Sequence, residues 1–137
     1  MSLPNSHLQM LSTVTPEGEL RMELAEKPLP VPKADEVLVR VEAAPINPSD
    51  QGVMFGWATM AEATSTGEGA ATVLSAPVSA HGIAVMKARI GQALPVGNEG
   101  AGTVVAAGDD PAAQALIGKT VAFLGCTANI AAPRPLW

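Results

Sequence analysis

Apolar and polar residues alternate most cleanly in EVLVRVEAAPI, residues 36–46, where Val37, Val39 and Val41 share one face and Arg40 and Glu42 share the other. That two-residue period predicts a half-buried strand. Two earlier runs, residues 7–14 and 19–26, flank Thr15-Pro16-Glu17-Gly18; proline presets a turn and glycine tolerates a positive φ, so the pair predicts a hairpin. Pro28, Pro30 and Pro32 then forbid helix and impose an extended connector ending at Ala34-Asp35. Beyond, Ile83, Met86 and Ile90 recur at i, i+3 and i+7, with Lys87 and Arg89 left for solvent, which predicts a short amphipathic helix within residues 78–92. Leu94-Pro95 ends it. Residues 97–102 read as a glycine-rich turn, 103–107 as a buried strand, 108–111 as a turn, 112–116 as one helical turn, and 120–124 as a last apolar strand. Residues 58–77, ATMAEATSTGEGAATVLSAP, hold few large apolar groups to repay the entropy of ordering, so they are expected to form a mobile loop.

Composition narrows the class. Of 137 residues, 24 are alanine and 25 are glycine or proline, which gives a modest aliphatic core and a turn-rich chain of short strands. The length suits one domain and is too short for a Rossmann unit together with a substrate domain. A net charge of −5, scattered Lys and Arg, and no tyrosine speak against a nucleic-acid partner. No apolar run is long enough for a membrane span, and MSLPNSHLQM has neither the basic nor the apolar region of a signal peptide, so a soluble, cytoplasmic protein is expected. The lone Cys126 permits no internal disulfide.

Four features invite a chemical reading. In GNEGAGTVV, residues 97–105, the third glycine of a dinucleotide fingerprint is Val105 and the glycines precede a strand instead of opening a helix, so close backbone packing is the better account. His7, His81 and Cys126 are too scattered for a zinc set. Asn47-Pro48-Ser49-Asp50, closing the best strand, reads either as a turn that caps its own backbone or as an amide presented to a ligand at the mouth of a β-fold. Glu99, between glycines and next to a buried strand, is expected to be paired, solvent-facing or neutralised by a raised pKa, a structural carboxylate bonded to nearby backbone being the plainer reading.

Taken in order, PLPVPKADEVLVRVEAAPINPSDQGVMFG, LPVGNEGAGTVVAAG and LIGKTVAF resemble the N-terminal part of the medium-chain dehydrogenase/reductase superfamily, in its zinc-free quinone oxidoreductase-like branch. The resemblance implies a mainly β, GroES-like, partly open barrel with short helices, spanning residues 1–125, with the Rossmann domain absent. In the zinc enzymes of that superfamily the position matching Asn47 is a ligating cysteine and that matching Asn98 a histidine; amides are poor zinc ligands, so no metal is implied. The resemblance assigns Asn47, Asp50 and Glu99 to the catalytic centre, Asn47 and Pro48 to the cofactor, and Met54, Phe55 and Asn98 to the substrate cleft. It implies the substrate side of an NAD(P)H-dependent oxidoreductase acting on an activated C=C or C=O, with NADPH used by the intact relative and no cofactor held by this chain alone. Two departures stand out: no tyrosine follows the Asn-Pro-x-Asp block near Gly52, and residues 57–92 are longer than in compact members. Residues 126–137 break from the pattern abruptly, as a truncated or frame-shifted product would, and the chain is expected to be inactive alone and to self-associate. The reading from another class is a stand-alone binding or assembly module of co-chaperonin type.

Overall fold

A computed structural model describes residues 3–124. The chain divides into two compact units, one from residues 3–9, 26–45 and 97–124, the other from residues 10–25 and 46–96. The expectations for residues 126–137 lie outside the described residues.

The first unit is built on an antiparallel sheet of β3 (Val37–Ala43), β7 (Glu99–Ala107) and β8 (Thr120–Leu124), in the order β3-β7-β8. Its register pairs Val39 with Val104 and Arg40 with Thr103. Shifts between Leu38 and Val39 and between Val41 and Ala43 break the strict alternation, so the buried residue of β3 is Leu38, while the three valines are half-covered. The glycine-rich stretch proves to be strand from Glu99 onward. Gly102 explains why: a Cβ there would sit inside the Arg40 carbonyl of the neighbouring strand. After β7 the turn opens α3 (Pro111–Gln114), whose N-cap Asp110 accepts from the Ala112 backbone N–H at 2.7 Å, and the Gln114 side chain returns to donate to the Gly108 carbonyl at 2.7 Å.

The second unit carries the hairpin of β1 (Ser6–Val14) and β2 (Glu19–Pro28), whose outer ends run on into the first unit. Thr15 N–H donates to the Glu19 carbonyl at 2.7 Å and closes the turn. Alongside lie β4 (Thr64–Thr66), β5 (Val73–Pro77) and β6 (Leu94–Pro95), giving the order β4-β5-β2-β1-β6. The stretch expected to be a loop therefore contributes two strands: β5 pairs with β2 from Glu19↔Pro77 to Glu23↔Val73, its backbone ladder doing what its small side chains do not. The stripe of Ile83, Met86 and Ile90 does face the core of Val14, Leu20 and Val78, but the helix is shorter than the pattern predicts. α2 (Ala80–Val85) starts with Ser79 Oγ accepting from Gly82 N–H at 3.1 Å, and a single tighter turn at Lys87–Arg89 follows it.

Two open sheets with short helices make a mainly β architecture consistent with a GroES-like, partly open fold, and the helix-strand alternation of a Rossmann domain is absent among the described residues. No helix among them is long and apolar enough to cross a membrane.

Candidate functional site

The Asn-Pro-x-Asp block opens α1 (Pro48–Met54) in the second unit. Asn47 is the N-cap in extended conformation, Pro48 takes the first helical position, and Asp50 the third. The Asn47 backbone N–H donates to Asp50 Oδ2 at 2.8 Å, and the Asn47 side chain accepts from the Asp50 backbone N–H, a reciprocal capping box. Asp50 is only 4% exposed, yet its carboxylate lies where the helix N-terminus favours negative charge.

The far end of α1 is fastened by residues that the sequence did not single out. Ser12, fully buried on β1, donates its hydroxyl to the Met54 carbonyl at 2.9 Å. Arg89 donates from Nη2 to Ser12 Oγ at 2.9 Å and from Nη1 to the Val53 carbonyl at 3.0 Å. The expectation that Arg89 faces solvent is thus corrected: it is half-buried, and burial lowers its pKa from the ordinary arginine value. The signal was present in its position between Met86 and Ile90, both on the core-facing stripe. Met54 and Phe55 are half-buried at this same end. Outside the block, the Trp57 and His81 rings meet edge to face with centroids 5.2 Å apart.

Asn98 and Glu99 belong to the first unit. Glu99 begins β7 opposite Leu124 and lines a groove of about 550 Å³ with residues 43–45 and Phe123; exposed Asn98 precedes the strand. The structure thus gathers Asn47, Pro48, Asp50, Met54 and Phe55 on one short helix and its C-cap, and sets Asn98 and Glu99 together at the start of β7.

Among the described residues no cluster of three His, Cys, Asp or Glu groups able to hold a metal ion occurs. A dinucleotide does not fit them either: Gly100 and Gly102 lie inside β7 with Phe123, Ala43 and Arg40 packed where a side chain would be, and not in a turn that opens a helix toward a pyrophosphate.

No family model matches the chain, and no curated protein does. Among solved structures it is similar to a putative NADPH:quinone reductase from Mesorhizobium loti, with a TM-score of 0.52 and 26% identity over 90% of this chain. The chain spans 31% of the length of that protein. The likeness supports an oxidoreductase lineage in the medium-chain dehydrogenase/reductase and quinone oxidoreductase superfamily.

Proposed function

We propose that this chain is the substrate-side domain of an NAD(P)H-dependent, zinc-independent oxidoreductase that delivers hydride to an activated C=C or C=O group. The observation that carries the reading is the structural likeness to the putative NADPH:quinone reductase over 90% of this chain and 31% of that one. In this reading Asn47, held by its capping box, orients the substrate or the nicotinamide, Pro48 fixes the approach of the backbone, and Asp50 anchors Asn47. The resemblance assigns Glu99 a supporting role in the same reaction and Met54, Phe55 and Asn98 contacts with substrate. Asparagine at positions 47 and 98 supports metal-free polarisation by hydrogen bonding. The nicotinamide supplies the hydride when bound, and in this reading the chain alone holds no NADPH and does not turn over.

The test is an amide-resolved NMR titration of the 137-residue chain with a small enone such as cyclohexenone, and separately with NADPH. Saturable shifts at Asn47 and Asp50 with the enone, and no saturable response to NADPH, are expected. Enone shifts that avoid residues 47–50 and 98–99, or turnover of enone by this chain with NADPH, overturn the reading.

A further inference from the structure

Among the described residues, Arg89 is a cation whose partners are all neutral. Nη1 donates to the Val53 carbonyl, and Nη2 to Ser12 Oγ at 2.9 Å and, less well, to the Ser12 carbonyl at 3.4 Å. The ion pairs among the described residues join Lys33 to Glu36 and Arg40 to Glu42, so none reaches Arg89. A guanidinium offers five N–H groups in a planar fork. Here Nε is shut off from solvent and has no acceptor among the described residues. Arginine stays charged even when burial lowers its pKa. A partly desolvated cation with only dipoles around it attracts an oxyanion far more strongly than a solvated one does.

The same side chain lines a cleft of about 360 Å³, within the size range of small-molecule sites, together with Trp57, Val85 and Met86. Ala88 and two glycines, Gly52 and Gly56, complete the lining. Gly56 has φ +53°, and a Cβ on it would collide with Met86 Sδ and come within 3.6 Å of Arg89 Nη1, so bare backbone is what leaves the guanidinium approachable from this cleft. Gly52, inside α1, has nothing within 4 Å of the place a Cβ would take. The walls are an indole and a thioether, surfaces that favour a flat unsaturated body. The charge selects further: one guanidinium balances one negative charge, and a chain of net charge −5 repels polyanions.

We infer that this cleft binds a small monocarboxylate with a flat apolar body, its carboxylate on Arg89 and its body against Trp57 and Met86. The inference is independent of the oxidoreductase reading, since it uses none of the residues assigned there.

The probe is sodium benzoate, read by Trp57 fluorescence in a Trp137→Phe background that leaves one indole, at fixed ionic strength. A saturable change with a Kd of roughly 0.1–10 mM is expected for so small a ligand. Benzamide, equal in shape and uncharged, should bind at least about tenfold more weakly, and inorganic phosphate should not compete. Gly52→Leu fills the cleft and should abolish the response without lowering the melting temperature, because it also replaces a glycine inside a helix. Arg89→Gln should weaken binding by about tenfold or more; if that variant does not fold, Gly52→Leu decides the matter alone. Equal binding of benzamide and benzoate, competition by phosphate at equal concentration, a linear response up to about 50 mM, or undiminished binding by Gly52→Leu overturns the inference.

Discussion

Ser12→Ala isolates the contact that fastens the end of α1. The Ser12 side chain is fully buried, and its hydroxyl bridges the Met54 carbonyl and Arg89 Nη2, both at 2.9 Å. Alanine removes both bonds, which are part-buried. A fully buried carbonyl left without a donor costs about 1–3 kcal/mol, and a lost hydrogen bond to a charged group about 1.5–3 kcal/mol. The two losses share one oxygen and Arg89 keeps its bond to Val53, so their sum is an upper bound and about 2–3 kcal/mol is the expected total. For a chain of this length that is a drop of roughly 6–12 °C in melting temperature. The assay is urea unfolding at neutral pH followed by Trp57 emission in the Trp137→Phe background, with Ser49→Ala, an exposed serine of α1, as the control expected to stay within about 0.5 kcal/mol. A double-mutant cycle with Arg89→Met should give a coupling of about 1 kcal/mol or more. Ser12→Ala within about 0.5 kcal/mol of the parent, or a coupling indistinguishable from zero, refutes the bridge as an energetic contact.

Two further perturbations follow from other parts of the chain. His7 is 5% exposed, neither ring nitrogen has a partner among the described residues, and burial holds its pKa below the ordinary histidine value. The unfolded chain therefore binds the His7 proton more readily, so its contribution to stability is complete above about pH 6.5 and is lost as pH falls toward the folded pKa. His7→Leu should flatten the stability profile between about pH 5 and 7, and an unchanged slope counts against the burial argument. Gly102→Ala places a methyl inside the Arg40 carbonyl and must separate β3 from β7, so a loss of about 3 kcal/mol or more, or failure to fold, is expected; a variant that melts with the parent rejects that packing.

What the sequence disclosed depended on which physical signal each element carries. β3 and the first hairpin announce themselves by alternation and a Pro-Gly turn, and both are present. Alternation does not reveal bulges, so the face assignment within β3 missed Leu38. β5 escaped because Val73-Leu74-Ser75-Ala76-Pro77 shows no period; its place is set by β2, a neighbour far away in sequence. Glycines in residues 97–102 were ambiguous between turn and strand, and only the partner strand decides, since the reason for Gly102 is the Arg40 carbonyl. For the site, the Asn-Pro-x-Asp block was legible as a cap or as a ligand group, and the cap is observed. The Ser12 and Arg89 bridge was not legible, because the two residues are 77 positions apart; the place of Arg89 between Met86 and Ile90 signals an inward side chain but not its partner.

The cap and the bridge answer one question about α1. A helix of seven residues is too short to hold itself together, and its apolar residues Val53 and Met54 are only half-buried; its one fully buried residue is Asp50. Hydrophobic burial alone does not then set its position. The polar contacts at its two ends supply the restraint: Asn47 and Asp50 satisfy each other's backbone at the start, and Ser12 and Arg89 take the Met54 and Val53 carbonyls at the end. Such contacts are directional where apolar packing is not, so they fix the rotation of the helix as well as its place. The Asn47 amide is thereby oriented before any ligand arrives, which lowers the ordering cost of using it for recognition. Capping and ligand binding are for this reason compatible roles, and disturbing Ser12 at one end of α1 should be felt at Asn47 on the other.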